Sequence, residues 1–259
     1  MRTKKLIINA DDFGYTMGTS YGIIETFKTG VVTSSSALTV SSSFLPSMVA
    51  VRSLAPSLPL GVHMTVTLSG AKPVLSPNVV PSLVKEDGTF WSRKEYGDKV
   101  SLDEVYMEFE AQILRFLESG LYPTHLDTHH SIHGATPQML QIVADLAKKY
   151  KLPMRRPYQM SDEFSSLYPD QKSTDFRFVE FYAQGATLAN FEAMLDRIVA
   201  SELETFELSC HPGFIDPEIL QMTAYTEGRI NDFVIVTSEE AKDAIKKRNI
   251  VLTNYRAIG

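Results

Sequence analysis

Short apolar runs alternate with amphipathic stretches along the whole chain, and the chemically reactive residues gather where the apolar runs end. Residues 6–10 form a buried-strand pattern that stops at Asp11-Asp12-Phe13-Gly14. Residues 58–66 form another, carrying His63. The stretch from His125 to His133 holds four of the six histidines together with Asp127, and residues 206–210 lead into His211. Strand-helix alternation of this kind requires a mainly parallel sheet, because the helices return the chain to the starting edge. About seven or eight such units fit a distorted (βα)-barrel in a single domain over residues 1–259, with an open doubly wound sheet as the alternative. In a barrel, the ends of these strands meet on one face, where active sites form.

The intervening segments read as helices. Tyr21, Ile24 and Phe27 keep helical spacing, with Gly30 placed as a C-cap. Residues 31–40 read as a strand and 44–54 as a helix. Ser101 and Glu104 have the spacing of a capping box ahead of Val105, Phe109, Ile113 and Phe116. Pro137 opens a helix to Tyr150. Residues 152–156 read as a short strand, and Phe191, Leu195 and Ile198 mark a helix. Residues 229–236 fit helix or strand, 237–240 cap a further helix to Arg248, and 250–255 read as a last strand. Two irregular stretches break the rhythm, at about 70–100 and 157–186. The first is expected to cover the mouth of the fold.

Composition narrows the function. The net charge of -6 argues against nucleic acid or an anionic membrane as partner. One cysteine, no apolar run of membrane-spanning length and no signal-peptide pattern point to a cytoplasmic protein. No G-x-G-x-x-G or Walker pattern follows the first strand, so nucleotide binding is unsupported. Cys210 and His211 are adjacent on a strand and point to opposite faces, which argues against a Cys-His dyad and for a buried core cysteine.

Two histidines and a carboxylate make a facial metal site suited to hydrolysis, and a neighbouring carboxylate can take a proton from the attacking water. Residues 125, 127 and 129 share one strand face, but His125 and His129 are ~13 Å apart on a straight strand. His129, nearer the strand end, is the expected ligand. His125 and Asp127 are expected to buttress the interior, Asp127 as the carboxylate that orients a ligand histidine. His130 faces the other way, and His133 belongs to the following loop.

Asn9-Ala-Asp-Asp-Phe-Gly14, Gly30-Val-Val-Thr-Ser-Ser35, Gly61-Val-His-Met64, Pro123-Thr-His-Leu-Asp-Thr-His-His130 with His133, and Cys210-His-Pro-Gly213 together resemble the YdjC-like carbohydrate deacetylases, which include the chito-oligosaccharide (diacetylchitobiose) deacetylases. The resemblance implies a distorted barrel and removal of N-acetyl groups from amino sugars. It implies one divalent ion, magnesium by family description, held by Asp12, His63 and His129. The imidazole-rich donor set would also suit zinc or another transition metal. It further implies Asp11 as general base and protonated His211 as acid. The expected partner is a small acetylated sugar, such as chitobiose or its 6-phosphate, and the family resemblance also allows a homodimer. Trp91 could stack on a sugar ring, and Arg155 could hold a hydroxyl or a phosphate. Relatives often carry three consecutive histidines where this chain has Ser131, a change that bears on substrate contacts. The competing readings are a metal-dependent phosphoesterase of sugar phosphates and a non-catalytic sugar-binding protein on the same fold.

Overall fold

The computed structural model describes residues 3–159 and 161–258. Met1 and Arg2 of the basic N-terminal stretch, Met160 of the second irregular stretch, and Gly259 lie outside the described residues. The elements run β1 (Lys5–Phe13), α1 (Met17–Thr29), β2 (Ser34–Ala37), α2 (Phe44–Leu54), β3 (Leu60–Met64), α3 (Leu102–Glu118), β4 (Leu126–Thr128), α4 (Pro137–Tyr150), α5 (Ser161–Leu167), β5 (Phe176–Phe178), α6 (Leu188–Ala200), β6 (Thr205–Cys210), α7 (Ile219–Met222), α8 (Glu227–Thr237), α9 (Glu239–Lys247) and β7 (Val251–Thr253).

β1 lies near the middle of the sheet, in the order β4-β3-β2-β1-β6-β5, and β7 pairs with its first residues. Every strand pairing is parallel. The seven strands make a curled half-barrel. Between its edges, β4 and β5, the chain at 153–155 takes a strand's place. Leu126 donates to Pro153 O (3.0 Å), Arg155 donates to Leu126 O (2.9 Å), and Met154 donates to Lys172 O (3.0 Å). The strand expected at 152–156 is thus an isolated bridge between Leu126 and Met154. Pro153 and Pro157 remove two ladder donors and keep it short.

Alternation along the strands sorts the two faces of the sheet. Leu6, Ile8 and Ala10 of β1 join the apolar core under the helices, with Leu208 and Cys210 of β6. The opposite face is polar: Asn9 and Asp11, Ser36, His63, Asp127 and Glu207 are joined by hydrogen bonds inside the barrel. α3 seals one flank by burying Val105, Phe109, Ile113 and Phe116. Each such side chain stabilises the fold by roughly 1.5–3 kcal/mol.

The capping box expected at Ser101 does not form. Ser101 caps α3 with its backbone only, and its N–H donates to Ser82 Oγ (2.7 Å). Glu104 turns instead to the Ser82 N–H (2.8 Å) and hydroxyl (2.7 Å). One turn on, the buried Glu108 accepts from Val74 N (2.9 Å) and Leu75 N (3.0 Å). The 70–100 stretch is therefore strapped to α3, and it brings Arg93 to the mouth of the barrel. Gly30 ends α1 in an extended conformation. A Cβ there would sit 2.2 Å from Val236 O, so close approach selects glycine at this position. The ambiguous stretch at 229–236 is α8.

Candidate active site

β1 ends in a register shift between Ala10 and Phe13, and Asp12 takes a left-handed backbone (φ 72). Aspartate tolerates that region better than most side chains. The twist lets both carboxylates of Asp11-Asp12 reach the strand end, one toward the barrel interior and one toward its mouth.

Asp12 Oδ1 lies 3.4 Å from His63 Nε2 and 3.1 Å from His129 Nδ1. The two imidazole nitrogens are 3.3 Å apart. His63 is fixed from behind: Asp127 Oδ1 is 2.8 Å from its Nδ1, and Ser36 Oγ stands 3.2 Å from the same atom and 2.8 Å from Asp127 Oδ2. Nδ1 is therefore the buttressed nitrogen, and Nε2 points at Asp12. Buried Asp12 Oδ1 makes no hydrogen bond, while Oδ2 accepts from Arg229 Nη2 at 2.7 Å. Burial alone would raise the Asp12 pKa, but Arg229 and His129 hold it well below the usual carboxylate range. Burial would likewise lower that of His63. Asp127 and Asp12 outweigh it and raise the imidazole to about 10.

This arrangement fits a cation. Three ligand atoms about 2.1 Å from one ion at right angles stand about 3 Å apart. An orphaned carboxylate oxygen facing two imidazole nitrogens supplies that set, and Asp12, His63 and His129 could hold a metal ion. Asp11, His63 and Asp127 also approach one another closely enough. That second grouping is blocked, because Asp11 and Asp127 already share Arg155.

Arg155 is fully buried at the centre of the barrel. Nε donates to Glu207 (2.8 Å), Nη1 reaches Asp11 Oδ2 (2.7 Å) and Asp127 Oδ2 (2.7 Å), and Nη2 reaches Asp11 Oδ1 (2.7 Å) and Glu207 (2.8 Å). All three guanidinium nitrogens donate to carboxylate oxygens, and Asp127 and Glu207 add ion-pair contacts at 2.7 and 2.8 Å. Burial would raise the pKa of Asp11, but the charge of Arg155 prevails and keeps it lowered. Glu207 also accepts from Tyr255 Oη at 2.5 Å. His125 stacks on Tyr255 at 3.9 Å, and its ring fills the space where a Cβ on Gly61 would fall. Burial holds His125 neutral, with its pKa down to about 3.

His211 stands across the mouth from the metal-ligand candidates, with Nε2 3.9 Å from Asp11 Oδ2. Its backbone N–H donates to Asp232 Oδ2 (2.7 Å), and its Nδ1 is 4.0 Å from the same oxygen. Burial pushes the imidazole pKa down to about 4. These groups line a cavity of about 620 Å³ with Tyr15, Arg93, Arg177, Tyr182 and Arg229. That volume suits a small ligand.

Asp11, Asp12, His63, His129 and His211 thus come together, with Asp127 and His125 behind them. Arg155 and Trp91 take places other than the substrate contacts expected of them. Arg155 is sealed beneath Asp11. Trp91 donates to Ser82 O (2.9 Å), lies under Lys99 and anchors its own loop, outside the cavity lining. His130 lines the cavity with Nδ1 2.9 Å from Thr67 Oγ1. His133 is buried, 2.6 Å from Thr128 Oγ1. Arg177, Arg229 and Asp232 were not anticipated. The i,i+3 spacing of Arg229 and Asp232 would have placed them on one helix face had 229–236 been read as helix. Arg177 sits on a strand too short to show periodicity.

The model of the family described as YdjC-like protein matches residues 5–247. A carbohydrate deacetylase of Enterococcus faecalis (strain ATCC 700802 / V583) is 45% identical over 260 residues, covering 100% of this chain and 99% of its own. A chitooligosaccharide deacetylase of Serratia marcescens is 34% identical over 258 residues, covering 98% of each. Among solved structures, one from Enterococcus faecalis V583, described as a candidate cellobiose-phosphate cleavage protein, superposes with a TM-score of 0.97 at 44% identity over 99% of both chains. An uncharacterised protein of Agrobacterium tumefaciens C58 gives a TM-score of 0.58 at 13% identity, covering 100% of this chain and 90% of its own, and shares the fold.

Proposed function

The chain belongs to the YdjC-like family, and on that premise we propose that it is a metal-dependent carbohydrate deacetylase that hydrolyses the N-acetyl group of an amino sugar, as one catalytic domain. The observation that carries this reading is the opposition across one cavity of Asp12, His63 and His129 on one side and His211 on the other, with Asp11 between them. Asp12, His63 and His129 would hold the divalent ion, which supplies Lewis acidity toward the acetyl oxygen and acidifies water.

The remaining chemistry falls to the chain's own groups. Asp11, kept ionised and fixed by Arg155, accepts a proton at Oδ2 as water adds to the acetyl carbon. His211 starts neutral, since its pKa lies near 4. It takes up the proton as negative charge builds beside it. It then delivers that proton from Nε2 to the nitrogen as the carbon-nitrogen bond breaks, leaving acetate and the free amine. Asp232 and the backbone of His211 set the imidazole's position.

Arg177 refines the substrate. It is 7% exposed, lines the cavity, and among the described residues pairs with no carboxylate; its Nη2 donates to Ser131 Oγ (3.1 Å) and Ser209 Oγ (3.4 Å). A buried guanidinium without an anion is costly. This supports a phosphorylated sugar, chitobiose 6-phosphate over chitobiose, and a cytoplasmic setting in which such a compound persists.

The test is acetate release from N,N'-diacetylchitobiose and its 6-phosphate by protein stripped of metal and reloaded with magnesium, zinc, cobalt or nickel. Metal-dependent release is expected, with the phosphate favoured. Asp11→Asn should lower kcat by about 10³-fold or more while metal affinity is kept. No release with any ion, despite stoichiometric metal binding, would move the assignment to another amide or to a phosphate ester.

A further inference from the structure

The cavity wall beside His211 is a ladder of flat groups. Tyr182 stacks on Tyr225, with ring centroids 4.5 Å apart and planes 12° from parallel. The Arg229 guanidinium lies 5.9 Å from the Tyr225 ring and 5.4 Å from that of Tyr15. Tyr15 in turn meets His129 edge-on at 6.4 Å. The ladder runs from the metal-ligand candidates to solvent, and its outer rung is Tyr182, which lines the cavity and is 49% exposed.

On the face of Tyr182 turned away from Tyr225 no second ring is stacked among the described residues, and the side chain is half exposed. His211 is 5.4 Å from Tyr182 and 5.9 Å from Tyr225, at 74° and 77° to their planes. With the stacked rings 4.5 Å apart, these distances place the imidazole level with the space between the two rings. The imidazole therefore stands beside the stack, against the ring edges, and Tyr225 covers the inner face alone. Among the described residues no other ring stacks on Tyr182.

The rung is also held in place. The Tyr225 ring lies where a Cβ on Gly228 would be, 2.3 Å from it. Its hydroxyl accepts from Ala183 N at 3.3 Å, and Ala183 adopts a left-handed backbone, φ 51. Gly185 lets the turn close directly against Glu180 O. The left-handed residue and the close backbone approach hold this segment in one conformation, so the half-exposed ring is presented in a fixed orientation.

We infer that the outer face of Tyr182 is a stacking platform for the pyranose ring bearing the scissile acetamide, and that it selects sugars over other amides. The inference rests on the sugar substrate proposed above. A pyranose offers a face of C–H groups that packs on an aromatic ring, and a ring seated here holds its amine substituent next to His211, where the leaving nitrogen needs its proton.

The experiment uses the metal-loaded protein with Tyr182→Phe, Tyr182→Leu and Tyr182→Ala. The readouts are KM and kcat on acetylated chitobiose, the Kd of fully deacetylated chitobiose by calorimetry, and the Tm and metal affinity of each variant. The Leu and Ala variants should raise KM and Kd about tenfold, with kcat changed less and with Tm and metal affinity unmoved. The Phe variant should stay within about twofold, because the flat face remains. Wild-type KM and Kd in the Leu variant would overturn the platform, as would a Phe variant as impaired as Ala, which would assign the role to the hydroxyl. If the Ala variant does not fold, Leu against Phe decides. Wild-type protein that binds deacetylated chitobiose through Tyr182 but releases no acetate would overturn the deacetylase reading and leave the platform standing.

Discussion

Two polar knots lie side by side in this barrel, and they are built on opposite terms. Around Arg155 charge is matched: every guanidinium nitrogen donates to a carboxylate, and Asp11, Asp127 and Glu207 all pair with it. Around Asp12, three atoms able to bind a cation face one another. Oδ1 and two imidazole nitrogens crowd within 3.1–3.4 Å, and the oxygen has no hydrogen bond. The closed knot is complete without a ligand. The open knot is completed only by a positive charge that all three atoms can share, a metal ion or a proton. Matched burial marks scaffold, and mismatched burial at a cavity marks function.

The contrast predicts opposite consequences for the two knots. Arg155→Gln leaves three carboxylates buried around a neutral amide. Breaking a buried ion pair from one side costs about 3–5 kcal/mol, so denaturant unfolding should show a loss of that size, and activity should vanish as Asp11 loses its fork. Arg155→Lys restores the charge without the fork and should recover only part of the stability. Asp12→Asn breaks one buried pair, with Arg229, so the metal-free protein should lose stability but less than in Arg155→Gln, where three carboxylates lose their partner, while metal binding weakens more than about 100-fold. Calorimetric metal titration beside thermal melts would check both. Equal losses of stability in Arg155→Gln and Asp12→Asn would erase the distinction.

Much of the open knot was legible in the sequence. Asp12 and His63 fall at the ends of β1 and β3, each marked by an apolar run, His129 follows β4 in the histidine-rich stretch, and parallel topology brings such ends together. The closed knot was hidden. Arg155 rides on a bridge flanked by Pro153 and Pro157, and no pattern announces that this side chain turns inward to meet three distant carboxylates. β5 escaped notice because three residues carry no period. Glu104 fitted a capping box until the 70–100 loop offered it Ser82, a tertiary partner that local spacing cannot foresee. Asp232 and Arg229 were missed for a different reason. α8 is weakly amphipathic, so its helical identity, and with it the common face of the two residues, is set by packing.

Asp127 belongs to both knots and sharpens the comparison. Its Oδ1 buttresses His63 at 2.8 Å, and its Oδ2 meets Arg155 at 2.7 Å. Asp127→Asn should lower metal affinity about 10–100-fold, less than loss of Asp12 itself. It should also reduce stability by less than Arg155→Gln, because two carboxylates still pair with the arginine. A variant that loses stability but binds metal normally would place Asp127 in the closed knot alone.

The remaining effect is a titration. In the metal-free protein, Asp127 and Asp12 overcome burial and raise the pKa of His63 from 6.5 to about 10. A folded-state pKa above the unfolded value adds stability that is full below about 6.5 and fades as pH rises through about 10. The proton does in part what the cation would do: it fills the open knot. Loading a metal must expel that proton, so apparent metal affinity should rise about tenfold per pH unit over the neutral range, with one proton released per ion. Calorimetry in buffers of different ionisation enthalpy measures that release directly. The metal-free protein should lose stability between about pH 7 and 10, and the metal-loaded protein should not share this loss. A metal affinity flat across that range would mean that His63 is already neutral, and that the open knot is held apart by something other than a shared proton.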